Sequence, residues 1–84
     1  MTHDIQVRML QNWYTELLHA ANELYSNCEI DSARWDDDST TTCAVWIWDC
    51  PDDPDTVADK LWDALNFNGW LEATLYECDE PPFA

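Results

Sequence analysis

The amino-acid sequence predicts a two-layer α+β domain, with both helices on one face of a three-stranded antiparallel sheet. Three observations predict this fold: an apolar pattern at helical spacing near the N-terminus, two strand-like segments around an acidic turn, and a second helix followed by one more alternating segment. A chain of 84 residues can enclose one modest core, so residues 1–84 are expected to form a single domain.

The first predicted element is a long amphipathic helix from Asp4 to about Tyr25. Its apolar residues recur three and four positions apart, with polar residues between them. The apolar set comprises Leu10, Trp13, Tyr14, Leu17, Leu18, Ala21, Leu24 and Tyr25.

A hairpin follows the first helix. Cys28 to Trp35 is typical of a strand, and Thr40 to Trp48 is a second strand rich in β-branched and aromatic residues. The acidic run 36–39 between them provides the turn.

A second helix begins after the hairpin, with Asp53 as its cap and Pro54 at its first position. Gly69 suits the stop of this helix. The last predicted strand runs from Leu71 to Cys78, and its place beside the first strand gives the strand order 2-1-3. The expected element order is therefore α-β-β-α-β.

The net charge of −15 is the most unusual property of the chain, because only three basic residues face eighteen acidic ones. Solubility alone needs a magnitude of about 2 to 8. Apolar residues make up 46% of the chain and include six tryptophans, which indicates a folded protein. Direct binding to nucleic acid or to anionic lipid is excluded, because phosphate contacts need lysine and arginine. The expected partner is a basic protein.

A carboxylate ridge is the first candidate binding surface. Asp55, Asp59 and Asp63 recur every four residues, so they line one side of the second helix about 6 Å apart. This spacing is on the scale of phosphates, which advance about 3.4 Å per nucleotide along a nucleic-acid strand. Asp49, Asp52 and Asp53 extend the ridge upstream, with Lys60 as its nearest counter-charge. An ordinary solvated helix face is the alternative interpretation.

The open face of the sheet is the second candidate surface. Strand alternation places the aliphatic residues under the helices and leaves aromatic and acidic residues on the other side. The exposed set is expected to comprise Trp35, Trp46, Trp48, Tyr76, Glu72, Glu29 and Asp31. Large rings among carboxylates suit a cationic partner. Alternatively, these rings pack against each other or a terminal segment, or form a homodimer interface.

The turn residues Asp36, Asp37 and Asp38 are a third acidic feature. Aspartate is a preferred turn residue, so a hydrated hairpin tip explains them as well as a partner contact does.

No pattern in the chain predicts catalysis, a metal site or a cofactor. The acidic clusters lack the alternation and central glycine of a calcium loop, and the histidines have no nucleophile at a recognisable spacing. Cys28, Cys43, Cys50 and Cys78 form no C-x-x-C pair; reduced, buried thiols are expected, with a disulfide as the alternative. We therefore expect a protein without enzymatic activity.

The acidic runs Asp36–Asp38 and Asp52–Asp53, together with Asp55, Asp59 and Asp63, give the chain a resemblance to small acidic inhibitors encoded by bacteriophages, such as anti-CRISPR and other DNA-mimic anti-defence proteins. This resemblance is one of size, charge and layout over the whole chain. It implies that the protein occupies the nucleic-acid channel of a CRISPR effector or nuclease and excludes the substrate.

Two other functions fit the same charge. One is an immunity protein or antitoxin that covers a nuclease toxin, and the other is adaptation to high salt, which six tryptophans and four cysteines fit poorly. The N-terminus lacks a basic stretch before an apolar one, and no segment approaches a membrane span. A cytoplasmic location is expected, in the host cell if a phage encodes the chain.

Overall fold

A computed structural model describes residues 2–33, 41–66 and 70–76. These residues form two helices, four strands and a single 3-10 turn. In chain order they are β1 (His3–Leu10), the 3-10 turn (Gln11–Trp13), α1 (Tyr14–Leu24), β2 (Glu29–Ala33), β3 (Thr42–Cys50), α2 (Pro54–Leu65) and β4 (Leu71–Leu75). The predicted class, α+β with an antiparallel sheet and two helices, is confirmed.

The strand β1 replaces the first third of the predicted first helix. Ile5, Val7 and Met9 are fully buried and alternate with the half-buried Gln6 and Arg8. A period of two places these apolar side chains on one face of a strand. The prediction of a helix from Asp4 is therefore wrong, and the sheet of the described residues has four strands, not three.

The strands lie in the order β2-β3-β1-β4, and every neighbouring pair is antiparallel. The predicted order 2-1-3, with β4 beside β2, is wrong because β1 pairs with both β3 and β4. The predicted hairpin is confirmed, since β2 pairs with β3 from Glu29 opposite Trp48 to Ala33 opposite Ala44. The resulting β-α-β-β-α-β order is the ferredoxin-like, split-βαβ arrangement.

Both helices cover the same face of the sheet. They share one apolar cluster with the inward-facing residues of the strands, as the sequence alternation predicts. The buried members are Ile5, Val7, Met9, Leu17, Ala20, Ala21, Tyr25, Cys43, Val45, Ile47, Cys50, Val57, Leu61 and Leu71. The hydroxyl groups of Tyr14 and Ser32 are 2.8 Å apart and join α1 to β2.

The ends of the later elements differ from the prediction by a few residues. The helix α2 ends at Leu65, and Asn66 supplies the left-handed position after it, with φ 50°. Asparagine tolerates this region better than most residues. Gly69, the predicted stop, lies outside the described residues.

Candidate functional site

The start of α2 follows directly from its sequence. The Asp53 carboxylate accepts a hydrogen bond of 2.9 Å from the Thr56 backbone N–H, and Pro54 occupies the first turn. Both features were predicted and are confirmed. The hydrogen bonds from Thr56 hold the pKa of Asp53 below its usual value. This carboxylate therefore serves the helix terminus.

Asp52 lies at the centre of a network that joins the two helices. Its Oδ2 accepts hydrogen bonds from Lys60 Nζ at 2.7 Å and from the hydroxyl of the buried Tyr25 at 2.9 Å. The Lys60 and Tyr25 hydrogen bonds lower the pKa of Asp52. Burial, and then the bond to Asp52, raise the pKa of Tyr25. Lys60 is also 5.9 Å from the centre of the Tyr25 ring.

Asp49 takes part in the turn after β3 through its main chain. Its φ of 52° is in the left-handed region, which aspartate tolerates better than most residues. Its N–H donates to the Asp4 carboxylate at 3.1 Å, and its C=O accepts from Cys28 Sγ at 3.9 Å. The Asp49 side chain is left at the surface.

Asp55, Asp59 and Asp63 differ from these three residues, because all three are exposed along α2. Lys60 forms its ion pair with Asp52, and in the described ranges no ion pair or side-chain hydrogen bond involves the three aspartates. Lys60, the expected nearest counter-charge of the ridge, thus pairs with its upstream member Asp52 rather than with Asp55, Asp59 or Asp63. We call Asp55, Asp59 and Asp63 the α2 column.

The α2 column borders a shallow groove between α2 and β4. Its walls are apolar at the base and acidic at the rim, and they comprise Asp55, Ala58, Asp59, Trp62, Leu71, Glu72 and Ala73. Trp62 is 37% exposed, and Trp70, which precedes β4, is also exposed. An adjoining depression contains Asp59, Lys60, Trp62 and Asp63. The groove thus combines aromatic surface with carboxylates.

Trp62 and Trp70 were not among the predicted site residues. For Trp62 a signal was present, since Asp55, Ala58, Asp59 and Trp62 follow the i, i+3, i+4, i+7 spacing of one helix face. The prediction used only the acidic residues of α2 and did not include the tryptophan on the same helix face.

The aromatic residues of the opposite sheet face form a packed cluster. The Tyr76 ring lies edge-to-face against Trp46 and Trp48, with centroids 6.1 and 5.7 Å away. Trp48 Nε1 donates to Asp31 Oδ2 at 2.7 Å, and Trp46 is only 7% exposed. This arrangement matches the alternative in which the rings pack against each other, and it leaves little of Trp46 for a partner.

The remaining predicted residues of that face are at its margins. Glu29 is exposed at the start of β2, and Glu72 lies 3.9 Å from Arg8. The predicted residues Trp35, Asp36, Asp37 and Asp38 lie outside the described residues, so the turn they were assigned to is outside them as well.

In residues 2–33, 41–66 and 70–76, no three His, Cys, Asp or Glu side chains are placed to hold a metal ion. Cys28, Cys43 and Cys50 are free thiols, and burial raises the pKa of each. A raised pKa disfavours the reactive thiolate. Cys78 lies outside the described residues.

Comparison of the chain with protein-family models, curated proteins and solved structures gave no match. Neither of the two helices in the described ranges is long and apolar enough to cross a membrane.

Proposed function

We propose that this protein is an acidic inhibitor that binds a basic nucleic-acid-binding protein through the α2 column and blocks its nucleic-acid site. The observation that carries the proposal is the division of the carboxylates around α2. The only lysine of the chain is bound to Asp52, and the exposed Asp55, Asp59 and Asp63 form no ion pair with another described residue.

The energetics of the helix support this proposal. Like charges four residues apart cost an isolated helix about 0.2 to 0.5 kcal/mol per pair, and the α2 column contains two such pairs. A solvated surface needs no such column, because mixed charges keep a small domain soluble. Two unfavourable like-charge pairs that do not help folding are therefore expected if a cationic partner supplies the positive charge that neutralises them.

The partner is expected to be a CRISPR effector, a nuclease or a similar enzyme with a basic substrate channel. Carboxylates spaced by about 6 Å along one helix side offer such a channel a row of negative charges like that of a phosphate backbone. Exposed charges of this kind speed association and set its salt dependence. The protein itself carries out no reaction in this account.

The test uses the full chain immobilised as bait in a host lysate at low salt, followed by purification of a retained protein. Wild type is compared with the triple variant Asp55→Asn, Asp59→Asn, Asp63→Asn. The matched control removes three exposed charges elsewhere: Glu16→Gln, Glu23→Gln, Glu29→Gln.

The α2 variant should associate about tenfold more slowly with the purified partner than wild type or the control does. Nucleic acid should compete with the chain for the partner. Equal association rates for the two triple variants would show that the binding site is not on α2. A partner that holds nucleic acid and the chain at the same time would contradict inhibition by occupation.

A further inference from the structure

The strand β4 is an edge of the sheet that the described residues form. In the described part of the chain it pairs on one side only, with β1, from Leu71 opposite Met9 to Leu75 opposite Ile5. The Tyr76 N–H donates to the Asp4 C=O at 2.8 Å. Because main-chain groups alternate between the two sides of a strand, Glu72 and Thr74 also direct theirs towards β1. The N–H and C=O groups of Leu71, Ala73 and Leu75 therefore point away from the sheet.

An edge with outward N–H and C=O groups is a template for a further strand. Natural proteins commonly protect such edges with lysine, proline or a bulge. In β4, residues 71–75 contain none of these, and Leu75 is 49% exposed. The edge is thus suited to main-chain pairing with another segment.

The groove beside this edge indicates which side chains an added strand would carry. A residue opposite Ala73 would project on the same face of the sheet as Ala73, and hence into the groove. There it would meet the exposed Trp62 ring and the carboxylates of Asp55 and Asp59. Arginine or lysine can make both contacts, because its aliphatic chain packs on the ring and its charged group reaches the carboxylates.

We propose that β4 receives an extended cationic segment of the partner as a further strand, with basic side chains at alternate positions directed towards α2. This inference rests on the proposed function and specifies how the same surface engages its partner. A second copy of the chain is the poorer occupant, because it would bring another net charge of −15 to the same edge.

The probe is a synthetic peptide of alternating arginine and valine with blocked ends, added to the full chain at low salt. Amide hydrogen exchange should be fast at Leu71, Ala73 and Leu75 in the free protein and about tenfold slower with saturating peptide. Glu72 and Thr74 should be protected in both states. Exchange that is already slow at all five amides of the free protein would show an occupied edge and overturn the proposal.

A matched peptide separates main-chain pairing from simple charge attraction. It has the same sequence but is N-methylated at alternate residues, in two versions that cover both possible registers. Each version keeps the charge of the peptide and removes the N–H donors on one side of its main chain. The version that lacks the donors facing β4 should bind about tenfold more weakly than the unmodified peptide. Equal binding of all three peptides would overturn strand addition and leave the acidic inhibitor standing.

Two proline variants test the same point in the protein. Ala73→Pro removes an outward N–H, which an edge strand tolerates, whereas Thr74→Pro removes an N–H that faces β1. The first should fold and lose about tenfold in affinity for the unmodified peptide, and the second should lower the melting temperature. Full affinity in folded Ala73→Pro would contradict the proposal; if that variant does not fold, the N-methylated peptides decide.

Two further outcomes distinguish the failures. A dimer of the isolated protein in sedimentation equilibrium that Ala73→Pro dissociates would make a second copy the occupant of the edge. Peptide binding that is unaffected by neutralisation of the α2 column would contradict the contact between basic side chains and α2, and would count against the proposed function as well.

Discussion

The carboxylates at the start of α2 and those along its length differ in what they contact. Asp52 and Asp53 accept hydrogen bonds from Lys60, Tyr25 and Thr56, which join the helices and cap α2. Asp55, Asp59 and Asp63 are exposed, and the structure gives them no counter-charge among the residues it describes. Equal formal charges therefore have unequal roles: the first group holds elements of the fold together, and the second makes no ion pair or side-chain hydrogen bond among the described residues.

The largest effect on stability is expected from Asp52. Asp52→Ala removes the acceptor of the buried Tyr25 hydroxyl and the partner of Lys60, so the free energy of unfolding should fall by about 1 to 2 kcal/mol. Denaturant unfolding measures it. Tyr25→Phe should lose less, because Asp52 keeps its bond to Lys60. A loss of the same size in Asp59→Ala would contradict the division of the carboxylates.

A smaller effect is expected from the helix cap. Asp53→Ala leaves the Thr56 N–H without its side-chain acceptor, and thermal unfolding should therefore begin at a lower temperature. Asp53→Ser, which preserves a capping oxygen, should have a melting temperature close to that of wild type. An unchanged melting temperature in Asp53→Ala would show that the cap contributes nothing to the fold.

Acid should remove the stabilisation contributed by the same two residues. The pKa values of Asp52 and Asp53 are lowered in the folded chain, so their contribution is present above the usual carboxyl pKa of about 4 and is lost as the pH falls through the folded values. The free energy of unfolding should therefore fall less between neutral and acidic pH in the double variant Asp52→Asn, Asp53→Asn than in wild type. An equal fall in the two proteins would contradict this assignment.

The smallest effect has the opposite sign. Asp59→Asn removes the like-charge pairs with both Asp55 and Asp63, and should raise the free energy of unfolding by about 0.5 kcal/mol. The gain should shrink as salt screens the charges. A loss of stability on this substitution would show that Asp59 has a folding role.

Local signals predicted most of α2 and the hairpin, and missed β1. The Asp53–Pro54 pair specifies a helix start by itself, and the β-branched and aromatic run of β3 specifies a strand. In β1 only Ile5, Val7 and Met9 alternate, and the helical pattern of the residues after Leu10 adjoins them. The strand order then failed, because the missing strand lies between β3 and β4.

The position of the α2 column could be predicted from the sequence, but the contacts of Asp52 could not. The four-residue spacing placed Asp55, Asp59 and Asp63 on one side of α2. Asp52 binds Lys60 and Tyr25 through the same oxygen, and Tyr25 is 27 residues away in sequence and reaches Asp52 only in the folded chain. Burial of Trp46 likewise depends on tertiary packing, which strand alternation does not predict.

The most direct test compares two variants of equal charge, Asp52→Asn, Asp53→Asn and Asp55→Asn, Asp59→Asn, each measured for unfolding and for association with the purified basic partner. We expect the first pair to lose stability and to keep its association rate. The second pair should lose no stability and associate several-fold more slowly. Equal association rates in the two variants would contradict the central claim that the α2 column, rather than total charge, binds the partner.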